Sequence, residues 1–180
     1  MLAYLFVLLA VAVRLFGALT RQYALTAVGA SLLYFGAKGP RKQWWIAVGI
    51  LAATDLALTL FVYHYVFTAD HLMSILWYAG AIWLGTSLRN KVTIGRVIGA
   101  SLVLAVSFFL VSNFASWLQY RDLYPMTWGG LLASYAAGIP FFRRDLIGDL
   151  FFSGVFFGLP VAVRSLSAAM HKRADHQTAA

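Results

Sequence analysis

Apolar runs recur along this chain, all but the short second one about as long as a bilayer's hydrocarbon is thick. Leu2 to Leu19, Tyr23 to Ala37, Trp44 to Tyr65, His71 to Leu88, Val97 to Leu118 and Leu146 to Leu166 carry almost no charge. A helix crosses about 30 Å of hydrocarbon with roughly 20 such residues, and in lipid the helix satisfies its own backbone. The 180 residues are 62% hydrophobic and 11% charged, where a soluble domain carries about 25% charged residues. The expected fold is an all-α membrane protein, a six-transmembrane-helix bundle formed as one unit over residues 1–170. A polar tail at 171–180 is expected to fray.

Positive charge gathers between the runs. Lys38, Arg41 and Lys42 surround a Gly39-Pro40 break, Arg89, Lys91 and Arg96 form a second basic connection, and Arg164, Lys172 and Arg173 come late. Basic loops stay on the cytoplasmic side. Six crossings put all three groups on that face, so both termini are expected in the cytoplasm and the chain in a bacterial inner membrane. The opposite face carries Arg21, Arg121, Arg143 and Arg144, offset by Asp70, Asp122 and Asp145. This distribution accounts for the net charge of +8 with lipid as the partner and no nucleic acid. The first run has no basic n-region and is interrupted by Arg14, so it is read as a retained span, not a cleaved leader.

Residues 127–142 fit this scheme least well. They are apolar but interrupted by Gly129, Gly130, Gly138 and Pro140, too short and broken for an easy crossing. The expectation is an extra short helix or re-entrant segment on the outer surface before the last span. A seventh crossing is the alternative, and it would carry the C-terminus outside.

Within the spans few side chains can carry chemistry. Arg14 and Asp55 lie well inside apolar runs, where each costs roughly 2.5–3.5 kcal/mol. They form a structural ion pair, or Asp55 contacts a polar ligand. Asn113, flanked by Ser112 and Ser116 near the end of the fifth run, either ties helices together or faces a cavity with Trp117 one turn on. The aromatics Tyr23, Tyr63, Tyr65, Trp117, Tyr120, Tyr124 and Trp128 crowd one end, as an interfacial belt or as pocket walls. Asp149 follows Gly148 at the start of the sixth run, where it complements that helix's N-terminus or touches a ligand. Ala53-x-x-x-Ala57 and Ala133-x-x-x-Ala137 read as packing faces.

Catalytic signals are missing. The chain has no cysteine and no glutamate, hence no thiolate site or thiol nucleophile. No G-x-S-x-G, H-E-x-x-H or P-loop occurs. His64 and His71 stand seven residues apart without further ligands at metal-binding spacing. No enzymatic activity, metal or cofactor is expected.

One set of motifs is more specific. Ser112-Asn113-Phe114-x-x-Trp117, Tyr124-Pro125-x-Thr127-x-x-Gly130-Leu131, Tyr135-x-Ala137-x-Ile139-Pro140-Phe141-Phe142 and Gly148-Asp149-Leu150 together resemble an uncharacterised bacterial integral-membrane family, a domain of unknown function. Arg14, Ala27-Val28-Gly29-Ala30 with Phe35-Gly36, and Asp55-Leu56 fit it too. That family in turn resembles the S-components of energy-coupling-factor (ECF) vitamin transporters. The likeness implies six helices, cytoplasmic termini and a micronutrient pocket near the outer face. Ligand contacts are then expected from Asn113, Trp117, Tyr124, Asp149, Asp55 and Tyr135. S-components that dock on a shared energising module carry Ala-x-x-x-Ala in the first span. Here Arg14 stands four after Ala10, so an energising or partner membrane subunit stays an open partner. The rival reading is a scaffold or accessory subunit whose polar residues only hold helices together.

Overall fold

The computed structural model describes residues 1–20, 25–64 and 68–178. The polar break at Arg21-Gln22 and the aromatics Tyr23 and Tyr65 lie outside the described residues, as do the side chains of Asp70, Lys172 and Arg173. Six α-helices, and no strand among the described residues, make up the fold: α1 (Leu2–Thr20), α2 (Val28–Lys38), α3 (Trp44–Ala57), α4 (Ala69–Thr86), α5 (Ile94–Gln119) and α6 (Trp128–Thr178). A 3-10 turn over Arg41–Gln43 leads into α3, and Leu58–Tyr63 continue it as a wider π-helix. That extension stops at His64, which adopts a left-handed conformation at φ 55°. Among the described residues four segments are long and apolar enough to cross a membrane: Leu2–Thr20, Arg41–Tyr63, Ile94–Gln119 and Trp128–Met170. Large apolar side chains such as Leu5, Phe61, Leu76 and Trp83 are exposed around the bundle. So much bare apolar surface suits acyl chains and not water.

The core is organised around α2. Every residue from Val28 to Ala37 is buried, as an all-round apolar sequence requires. Its 11 residues span only about 16 Å, roughly half a bilayer. It starts later than the Tyr23–Ala37 run suggests, because Leu25 to Ala27 are not helical. The backbone of Thr26 is pressed against Gly148 of α6, where a Cβ would stand 2.8 Å from the Thr26 carbonyl oxygen. At its other end α2 crosses α4 backbone to backbone. A Cβ on Gly36 would lie 2.7 Å from the Gly85 Cα, and small residues permit this approach where packing replaces hydrophobic drive.

α5 and α6 form an antiparallel pair. Ser101 donates to Ser153 (2.8 Å) near one end, and Ser134 donates to the Asn113 carbonyl (2.7 Å) near the other. This corrects the expectation for 127–142. The stretch is the first part of α6, standing against α5, not a separate helix before the last span. Pro125 and the Thr127 cap explain the start: the Thr127 hydroxyl accepts the Gly130 N–H at 3.1 Å, satisfying a donor that the first turn leaves open. Pro140 and Pro160 lie within α6 without ending it. Packing against neighbouring helices lets such prolines persist in apolar helices. Arg143, Arg144 and Asp145 are therefore not in a loop. They lie on α6 between the two serine contacts, level with the middle of α5.

Candidate functional site

Polar groups from different helices converge inside the bundle. Arg14 of α1 forms an ion pair with Asp55 of α3. Arg14 Nη1 also donates to the Tyr78 hydroxyl of α4 (3.1 Å), which donates onward to Asp55 Oδ2 (2.6 Å). Arg14 thus meets Asp55 at Oδ1 and Tyr78 meets it at Oδ2. Asp55 is buried while the Arg14 side chain is 33% exposed. Tyr78 bridges the two charges and turns a pair into a three-helix tie. A tyrosine inside an apolar run carries no pattern of its own, so the sequence reading missed it.

Asp149 lies beside this triad. It is 4% exposed and accepts the Ala30 backbone N–H, while Oδ1 has no hydrogen-bond partner among the described residues. Gly29 makes the approach feasible: a Cβ there would sit 2.9 Å from the Asp149 Cγ and closer still to its oxygens. The helix terminus that Asp149 complements is thus not its own. α6 begins at Trp128, well before it, and the carboxylate meets the first turn of α2, where backbone N–H groups carry partial positive charge.

Three cavities surround this cluster, and Asp145, one turn before Asp149, borders all of them. The first, about 360 Å³, lies between α5, α6 and the 120–127 turn; Asn113, Ser116, Tyr120, Tyr124 and Asp145 supply most of its polarity. The second, about 110 Å³, is walled by Arg14, Gly29, Trp77, Tyr78 and Asp149. The third, about 200 Å³, adds Tyr63 and Arg144 beside Arg14. The spacing of Asp145 and Asp149 on one helix face was visible in the sequence, but placing Asp145 in a loop hid its meaning.

The expected ligand residues divide. Asn113 and Tyr124 line the first cavity and Asp149 the second. Asn113 is also held in place: Nδ2 donates to the Phe109 carbonyl (2.8 Å), and the carboxamide fills the space that a Cβ on Gly138 would need. Trp117 does not join Asn113 in that cavity. Its indole donates to the Pro125 carbonyl (2.9 Å) and pins the turn. Tyr135 donates to the Leu110 carbonyl (3.2 Å) across the α5–α6 seam. Asp55 is engaged by Arg14 and Tyr78. His71 bonds Thr59 (2.8 Å) and caps its helix with Thr68; among the described residues no three potential metal ligands are gathered.

A helical bundle with bilayer-length apolar segments and a polar, cavity-bearing interior defines a polytopic membrane protein. The chain belongs to the family of unknown function DUF6580, which matches residues 1–170. No curated protein and no solved structure matches it.

Proposed function

We propose that this protein crosses a bacterial inner membrane six times, with both termini cytoplasmic, and binds a small vitamin-like micronutrient near its outer face as a step in uptake. The observation that carries the reading is the lining of the 360 Å³ cavity, where Asn113, Ser112, Ser116, Tyr120, Tyr124 and Asp145 face one space in an otherwise apolar bundle. Ligand sites have this character, with few oriented polar groups among aromatic walls and roughly 300–1,000 Å³ of room. Asn113 and Tyr124 contact the ligand first, and Asp145 joins that space to the smaller one at Asp149. Trp117, Tyr135 and Asp55 hold the walls. In this reading the ligand is bound and released unchanged. The likeness to ECF S-components supports the same reading, with an energising or partner subunit supplied by another chain.

A thermal-shift screen of detergent-purified protein against water-soluble vitamins and their precursors tests it. A ligand at about 100 times its Kd stabilises by roughly 2.7 kcal/mol. The expected result is a hit that disappears in Asn113→Ala while the elution profile is unchanged. No hit with a well-folded sample favours the second reading, an accessory subunit or scaffold. That reading draws on Trp117, Tyr135 and Asp55, whose polar groups are all used within the bundle.

A further inference from the structure

The opposite end of the molecule holds another space. There α2 ends at Lys38, α3 begins at Trp44 and α4 ends at Thr86, and between them lies a cavity of about 590 Å³. Its walls are of two kinds. Phe35, Ala79, Ile82 and Trp83 form an apolar side, while Arg41 and Arg89 bring charge, and no acidic residue lines it. Two guanidinium groups facing one space repel each other. Burial first, and then the Arg41 charge, push the pKa of Arg89 below its ordinary value.

Arg89 is held but not satisfied. Its Nη2 donates to the Gly39 carbonyl at 3.0 Å, whereas its Nε is buried with no hydrogen-bond partner among the described residues. Arg89 as a whole is only partly buried, but a buried N–H without an acceptor is costly. The adjoining connections offer backbone carbonyls but no counter-charge, because they bear Lys38, Arg41, Lys42, Arg89, Lys91 and Arg96 and no Asp or Glu between 38 and 43 or between 87 and 97. A counter-charge for the two guanidinium groups would therefore come from outside these connections. Trp44 and Trp83, 46% and 76% exposed, flank the opening, and indoles favour the level where headgroups meet acyl chains.

We infer that this cavity binds an anionic phospholipid, with its phosphodiester between Arg41 and Arg89 and its first methylenes against Ile82 and Trp83. The planar donor fork of Arg matches phosphate oxygens in pairs. The apolar wall and the indole-framed opening select a lipid over free phosphate, which would leave half the cavity unfilled. This assignment does not depend on the ligand proposed for the other end.

Native mass spectrometry of the full chain in neutral detergent tests it, with phosphatidylglycerol, phosphatidylcholine or inorganic phosphate added. Phosphatidylglycerol is expected to stay bound one to one, and the other two to be lost on gentle activation. Arg41→Gln should weaken retention about tenfold, the worth of one charge-assisted contact. Lys38→Gln and Lys91→Gln remove the same charge outside the cavity and should leave retention unchanged. Equal retention of phosphatidylcholine, full competition by inorganic phosphate, or equal losses in Lys38→Gln and Arg41→Gln would each overturn the assignment. Arg41→Gln is the deciding variant because Arg89 also anchors the Gly39 carbonyl, so its removal disturbs the loop.

Discussion

A missing carbon at Gly29 lets a carboxylate reach the end of a buried helix. Asp149 occupies the space in which any Cβ at that position would stand. Gly29→Ala must therefore displace the acid or α2, and overpacking of this kind costs about 1–3 kcal/mol. Thermal unfolding of Gly29→Ala, Asp149→Ala and the double variant should show the double less destabilised than the two singles added together. Strict additivity would mean that the two do not touch. The triad obeys a different rule. Removing one partner of a buried ion pair leaves the other uncompensated, and Asp55→Asn should cost about 3 kcal/mol, the low end for such pairs because Arg14 is partly exposed. Replacing all three polar groups together, as Arg14→Met, Asp55→Leu and Tyr78→Phe, should recover most of that loss in the same melts. If the triple variant is as unstable as Asp55→Asn, the triad does more than satisfy its own charges.

At the scale of elements, the apolar runs were legible because crossing a membrane imposes a length on every helix, and the basic connections between them were equally plain. The boundaries of α2 were not. Leu25 to Ala27 are scarcely less apolar than α2 itself, yet they are not helical and lie with the Thr26 backbone against Gly148 of α6. The start of α6 was misread for a related reason: Gly138 and Pro140 look like breaks in isolation, yet Gly138 is where Asn113 of α5 fits. Asn113 and Tyr124 were visible as polar and aromatic groups at a span end, whereas Tyr78 and Asp145 gain meaning only from helices distant in sequence. The absence of native cysteine makes the α5–α6 arrangement directly testable. Ser101→Cys with Ser153→Cys, and separately Asn113→Cys with Gly138→Cys, should each form an intramolecular disulfide on mild oxidation, since the two serine hydroxyls meet and the Asn113 carboxamide lies where a Gly138 Cβ would stand. Cross-linking of the first pair without the second would restore the arrangement in which 127–142 leaves α5 and lies along the surface.

The whole molecule is polarised. One end gathers Lys38, Arg41, Lys42, Arg89, Lys91 and Arg96 without an acid, and the other closes with the 120–127 turn, where Arg121 is matched by Asp122. Retention of basic loops on the cytoplasmic side converts this asymmetry into an orientation. The proposed orientation puts the polar cavity at Asn113 and Tyr124 toward the outside and the Arg41–Arg89 cavity in the inner leaflet, where anionic headgroups meet juxtamembrane basic residues. Single cysteines read that orientation in intact cells expressing the protein. Asp122 and Lys91 are both exposed on opposite ends, so a membrane-impermeant maleimide should label Asp122→Cys in whole cells and Lys91→Cys only after permeabilisation. The reverse pattern would face the candidate ligand cavity to the cytoplasm, which is incompatible with uptake from outside, and would set the basic cavity in the leaflet where it is not needed.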